Sequence, residues 1–483
     1  CKRRWMRALL YTREVEMVTK ANRFFASQAW VQGAWAKDVL MEVDASGHWS
    51  RITVEAKPDL VRDAERLDGP VLPGVVNAHS HAFQRAIAGL TEQGASSGQD
   101  NFWSWRERMY AVAQRITPEQ LESIATMLYT ELLAGGYTQV CEFHYLHNAS
   151  AHAPMASALD MSMALVRAAQ RSGMGLTLLP TLYMRSGFSA DGLRPDQQRF
   201  ASTPDSIARL VQDVQTATHG MAHVNLGVAL HSLRAVTPQA LAQLSAFADA
   251  QGLPIHIHIA EQPQEVQDCV AHTGQRPIEW LLHHAQLHGR WNLVHATHAT
   301  QAELDGVRAR GASIVICPTT EANLGDGVFD YTGYCAQGGV WSVGSDSHVC
   351  RAWNEELRLL EYGQRLTRGQ RNVAAQSGAS QSSAATMLQA LLHGAQAATA
   401  LPLGGIALGQ RADFAVLDAA SPPLCGLPEA HVLDAHVFSS PGSVPLAVAV
   451  GGRVVPTLLG GRVAQDFART LQDCLVHKAW PLH

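Results

Sequence analysis

From about Pro70 to Ser347 the chain repeats one rhythm: a helix-like run, a glycine, then a short β-branched run that ends in a polar or ionisable residue. Eight such runs read as strands, at residues 74–78, 138–143, 175–182, 225–230, 254–259, 292–295, 313–317 and 340–344. Strands that each follow a helix cannot pair as hairpins, because the helix returns the chain to the same end of the sheet. The expected class is α/β, a (β/α)8 TIM-like barrel, and counting strands alone leaves an open parallel sheet as the alternative.

Helix punctuation agrees with this rhythm. Thr117-Pro118, Thr203-Pro204 and Thr237-Pro238 each place a hydroxyl N-cap before a proline, and Gln120 completes a capping box with Thr117. Gly136, Gly173, Gly252 and Gly311 stand where left-handed C-caps are wanted, just before the next strand. The flanks differ. Residues 29–54 and 406–463 carry short alternating or valine-rich runs such as PLAVAVGGRVV, separated by glycine turns. They predict a small β-sandwich domain assembled from both chain ends, giving segments 22–72, 73–402 and 403–465, then a tail at 466–483.

Composition narrows the partners. With 47% apolar and 16% charged residues and a net charge of −5, the chain has no basic block to attract nucleic acid or an anionic membrane. A small molecule is the expected partner. The eight cysteines show no CxxC spacing, which favours reduced thiols and a cytoplasmic location over a zinc ribbon or disulfide framework. The basic residues 1–7 precede too few apolar residues for a signal peptide, and no fold element is expected in the leader to Met17.

Chemistry concentrates at the strand ends. In PGVVNAHSHAF, His79 and His81 are two apart in an extended chain, so both imidazoles face the same way at the barrel mouth. IHIHIAE ends the fifth expected strand, and His258 is the better ligand because Glu261 follows closely enough to serve a metal-bound water. His256, one pleat deeper, reads as a hydrogen-bonded core histidine. His295 ends the sixth strand and Asp346 the eighth. Three imidazoles and a carboxylate suit Zn²⁺ with room for water. No lysine occurs between Lys57 and Lys478, so neither a carbamylated lysine bridging two metals nor a Schiff base can form in the barrel. One zinc per chain is therefore expected. The absence of a PCxxC segment also removes the cysteine-ligated deaminase design.

Over nearly its whole length the chain resembles the amidohydrolase superfamily, in the branch of mononuclear zinc deaminases. The segments NAHSHAFQRAIAG, NFWSWRERMY, EFHYLH, GVALHSLRAV, HIHIAEQ and GGIALGQRADFAVLD carry the likeness. Within that branch it is most similar to the iminohydrolases of histidine breakdown. The resemblance implies hydrolysis of N-formimino-L-glutamate to N-formyl-L-glutamate and ammonia by a cytoplasmic homodimer. It implies that His79, His81, His258 and Asp346 bind Zn²⁺, that Glu261 shuttles protons, and that His295 and Asp346 orient and deprotonate water. By the same likeness His231 faces the reacting carbon, while Gln84, Arg106, Tyr145 and Arg234 hold the glutamate part. The runner-up is a deaminase of the same branch acting on guanine or a similar heterocycle. A non-catalytic barrel scaffold is a third reading, and intact ligands argue against it.

The plainer readings differ in weight. An unpaired cluster of buried histidines would be costly, so a purely structural role for the four ligands is the weaker reading. Arg106 and Arg234 would pass for surface cations without the resemblance. His144, His147, His152, His283, His284, His298 and His348 read as structural or solvent-facing. The aromatic residues around Trp103 and Trp105 suit either core packing or a loop covering substrate.

Overall fold

The computed structural model describes residues 22–93, 100–148, 158–377, 380–457 and 459–476. His152, the leader and the end of the expected tail fall outside these residues. Strands β1 (Arg23–Val31), β2 (Ala34–Val43), β3 (Trp49–Thr53), β4 (Glu65–Leu67) and β5 (Val71–Pro73) open the chain. The barrel strands follow: β6 (Val75–Ser80), β7 (Tyr137–His144), β8 (Gly175–Leu182), β9 (Val224–Leu226), β10 (Val228–Ser232), β11 (Ile255–Ile259), β12 (Trp291–His295), β13 (Ser313–Ile316) and β14 (Val340–Val343). Strands β15 (Phe414–Val416), β16 (Ala447–Val450) and β17 (Arg453–Val455) return to the first sheet.

The barrel path runs β14-β13-β12-β11-β10-β8-β7-β6, with every pairing parallel. It is closed at the mouth by a parallel bridge between Ser80 and Asp346. There Asp346 N donates to His79 O at 3.0 Å and His81 N donates to Asp346 O at 3.3 Å. Gly344 permits this approach, since a Cβ at that position would lie 2.5 Å from the Cβ of His79. The expected strand at 225–230 is divided at Gly227. A side chain there would lie 2.5 Å from Leu179 Cδ2 and 2.8 Å from Pro254 O, so the chain bends between β9 on β8 and β10 on β8 and β11.

The helix punctuation is realised: Thr117, Thr203 and Thr237 cap their helices, and Gly136, Gly173, Gly252 and Gly311 all have positive φ. Strands from both chain ends form one sheet in the order β17-β16-β15-β5-β1-β2-β3, with β4 on β1. It curls on itself, because Phe414 of β15 meets Phe24 at 5.0 Å and Trp49, from the opposite edge, at 6.0 Å. A bridge between His48 and Arg411 joins the same two regions. Their shared core includes Phe24, Val39, Met41, Trp49 and Phe414, as in a sandwich. Beyond it, the helix Gly461–Val476 crosses the expected 465/466 boundary and buries Phe467 and Cys474.

Candidate active site

The ends of the barrel strands turn sharply into the mouth. Ala260, His295, Ala296 and Asp346 all have positive φ, between 47° and 71°, which is costly for residues with a Cβ. This conformation breaks the extended run and turns the polar ends of β11, β12 and β14 toward one centre. Nε2 of His79 lies 3.1 Å from Nε2 of His81 and 2.9 Å from Nε2 of His258. Oδ1 of Asp346 is 3.3 Å from both His79 Nε2 and His81 Nε2. Nε2 of His295 completes the circle, 3.8 Å from Asp346 Oδ2 and 3.7 Å from Glu261 Oε1.

This donor set fits a divalent cation. His81 Nδ1 is 3.0 Å from the carbonyl of Phe143 and donates to it, so Nε2 is left with a lone pair. Ligand bonds of roughly 2.0–2.1 Å to a tetrahedral zinc put ligand nitrogens roughly 3.3 Å apart, close to the spacing here. Burial pushes His79 down to about 3 and lowers His258, which keeps both imidazoles neutral. For Asp346, burial opposes ionisation, but the neighbouring His79, His81 and His295 outweigh it and hold its carboxyl well below the usual range. Neutral imidazoles and an ionised carboxylate are the protonation states that metal ligation requires.

Burial pushes Glu261 up to about 7. It lines a cleft with His81, Gln84, Arg106, Tyr145, His231, Arg234, His258, His295 and Asp346. The structure thus gathers the expected ligand, catalytic and substrate-binding residues around one cleft, with His79 beside Asp346. Gln84 Nε2 donates to the Tyr145 hydroxyl at 3.2 Å, and the His231 ring lies 4.2 Å from that of Tyr183. Arg234 is buried, 3.7 Å from Glu265 Oε2, yet its Nη1 has no hydrogen-bond partner among the described residues. Arg106 stacks at 4.4 Å over Trp103 and leaves Nε without one among the same residues.

Two sequence expectations take a specific form here. The segment around Trp103 is a helix, Phe102–Ala113, capped by Asn101, and not a loop; Phe102, Trp105 and Arg106 on it wall the cleft. His256 Nε2 donates to the carbonyl of Ala398 at 2.9 Å, and the ring lies buried behind the site. His348 zips the barrel seam through Ser345 and Ser80, while His144 and His147 are buried and His283 and His284 exposed.

Sequence reasoning missed four acids. Glu142 accepts from Ser80 Oγ at 2.7 Å and from Tyr129 behind the His79–His81 strand. Glu265 accepts from the backbone of Ala260 and Glu261. Asp326 accepts from Gln262, and burial together with Glu261 pushes it up to about 9. Glu321 accepts from His295 Nδ1 at 3.3 Å. Glu265, Glu321 and Asp326 lie on helices or a loop, where an acid normally marks solvent, and Glu142 alone stands inside an apolar strand run that could have marked it.

Comparison with known proteins agrees with this geometry. The amidohydrolase family model matches residues 71–455. A formimidoylglutamate deiminase of Pseudomonas aeruginosa is 44% identical over 435 residues, covering 90% of this chain and 94% of that protein. The crystal structure of an amidohydrolase from Brucella melitensis superposes with a TM-score of 0.85 at 39% identity, covering 94% of this chain and 100% of the other. An adenosine deaminase from Xanthomonas campestris, with bound zinc, shares the fold with a TM-score of 0.74 at 20% identity, over 93% and 97% of the two chains. By its barrel, its strand-end donors and this match over most of its length, the chain belongs to the amidohydrolase family.

Proposed function

We propose that this protein hydrolyses N-formimino-L-glutamate to N-formyl-L-glutamate and ammonia, with one zinc ion held by His79, His81, His258 and Asp346. The observation that carries the reading is the pairing of a four-donor centre with two arginines on the wall of the same cleft, both with unspent donors. The 44% identity to the Pseudomonas aeruginosa deiminase supports the same substrate. A dicarboxylate needs cationic partners once water is excluded, whereas a flat neutral heterocycle does not.

When bound, zinc supplies a Lewis acid that lowers the pKa of water to roughly 7. His295 and Asp346 would orient the attacking water toward the formimino carbon. Glu261, with its carboxyl pushed to about 7, can take a proton near neutrality and return it to the departing nitrogen. One water is consumed, the C=N bond is replaced by C=O, and the nitrogen leaves as ammonia. His231, Tyr145 and Gln84 line the cleft around the formimino group and the glutamate chain, and Arg234 and Arg106 take the two carboxylates.

The same reading places the protein in histidine degradation, in the cytoplasm and as a homodimer, on the strength of the family resemblance. Among the described residues no helix is long and apolar enough to cross a membrane. The test is ammonia release from a panel of formimino-amino acids and purines. Fastest turnover of formiminoglutamate is expected, and preference for a purine would overturn the assignment.

A further inference from the structure

We infer that Glu321 is a positioning residue, which grips Nδ1 of His295 and so fixes that ring with Nε2 facing the cleft. The inference rests on the hydrolase reading above and extends it to a residue outside the cleft lining.

His295 is the last residue of β12 and has φ +71°, so its backbone is in a conformation that a non-glycine residue holds only when its surroundings over-determine it. Its ring stacks against that of His258 at 5.5 Å, which restrains its plane but not a 180° flip about Cβ–Cγ. That flip decides which ring edge faces Glu261 and Asp346. The Nδ1···Oε1 contact of 3.3 Å to Glu321 restrains that flip, beside the Cys317 thiol, which also contacts the ring. Nε2 is then left 3.7 Å from Glu261 and 3.8 Å from Asp346, on the cleft side.

Glu321 is itself held in place. It sits on the short helix Pro318–Leu324 that follows the adjacent strand β13, and it is only 4% exposed. Its Oε1 also accepts the backbone N–H of Cys317 at 2.9 Å, which fixes the carboxylate to the main chain of the neighbouring βα unit. Among the described residues, the ion-pair partner of Glu321 within 4.0 Å is His295. A buried carboxylate without a cation of its own is costly, so the pair with His295 is what this position is built to make. Displacing a reacting group by about 1 Å can cost on the order of 10²-fold in rate, so such a grip is expected to act on turnover.

The test uses the zinc-loaded enzyme with formiminoglutamate, or with whichever panel compound the wild type turns over. Wild-type turnover thus judges the substrate reading, and variant-to-wild-type ratios judge this one. Glu321→Leu should lower kcat about 10–100-fold with KM and zinc content within about twofold. Glu321→Gln retains an oxygen that can accept both N–H groups and should stay within about threefold of wild type. In a His295→Gln background, Glu321→Leu should add less than about twofold, because its effect passes through the imidazole. If Glu321→Leu does not fold, Glu321→Asp replaces it, since the shortened carboxylate keeps its charge but draws back from Nδ1, and the same loss of kcat is expected. Unchanged kcat in the folded variant, losses that multiply across the two sites, or equal damage from Gln and Leu would each overturn the proposal. His295, Cys317 and Glu321 also present donor atoms within 4.8 Å of one another. Loss of a second equivalent of metal from the Leu or Asp variant would make them a metal site and overturn the positioning role.

Discussion

The Nε2 atoms of His79 and His258 lie 2.9 Å apart although the residues are 179 positions apart in sequence. One lies at the end of the strand that opens the barrel and the other at the end of β11, so only barrel closure brings them together. Held neutral and buried, two facing lone pairs gain from a cation between them and repel without one. Chelation should therefore lower the melting temperature as well as abolish activity, since a metal that binds only the folded state stabilises it. Elemental analysis should find about one zinc per chain, and His79→Ala or Asp346→Ala should remove most of it. Two tightly bound metals in the active enzyme would contradict the four-ligand centre.

Glu261→Gln keeps the shape of the side chain and removes its proton. Glu261 makes none of the short contacts among His79, His81, His258 and Asp346, so zinc content should be unchanged while kcat falls about 10²–10⁴-fold. Steady-state kinetics beside zinc analysis separates the two effects. An undiminished kcat would remove Glu261 from the proton path.

A pH effect on stability should arise far from the site. His436 packs at 5.2 Å against Trp353, and burial pushes its imidazole down to about 4. In the unfolded chain the same group titrates near 6.5, so below that pH the unfolded state binds the extra proton. Its contribution is complete above pH 6.5 and is lost as pH falls toward about 4. Between pH 6.5 and 5 the loss is up to about 2 kcal/mol. Denaturant midpoints of wild type and His436→Gln, compared at pH 7 and pH 5, should show a shallower fall in the variant. Parallel falls would show that His436 does not carry this dependence.

The barrel was legible because each strand is a short apolar run with an ionisable end, and the helices between them carry strong caps and glycine stops. The same property exposed His79, His81, His258, His295 and Asp346, since an ionisable group at the end of a buried run is costly unless it is paired or ligated. Glu321 and Asp326 were not legible. A carboxylate on a helix or loop looks solvated in sequence, and only the packing of neighbouring βα units turns it inward. The helix at Phe102–Ala113 was similarly hidden, because its aromatic residues serve the cleft and blur the apolar stripe of an ordinary surface helix.

On the proposed reading, substrate choice depends most directly on Arg234. It follows β10 by two residues, is buried, lines the cleft, and has an Nη1 that makes no hydrogen bond among the described residues. Glu265, its 3.7 Å neighbour, is already engaged by the backbone of Ala260 and Glu261, so it neutralises the guanidinium without using up its donors. A substrate carboxylate can take those donors, and hydrogen bonds to charged groups contribute about 1.5–3 kcal/mol. Losing a bidentate pair in Arg234→Met should therefore lower kcat/KM for formiminoglutamate on the order of 10²-fold or more, with zinc content unchanged. Formiminoaspartate, which misplaces the second carboxylate between Arg234 and Arg106, and formiminoglycine, which lacks it, should be poor substrates of the wild type. The variant should also discriminate less among the three compounds, because one of the two cationic ends of the cleft is gone. Measuring kcat/KM for these compounds and guanine with both proteins decides the matter. If Arg234→Met uses formiminoglutamate as well as wild type does, Arg234 does not hold a carboxylate, and the dicarboxylate specificity must come from elsewhere in the cleft.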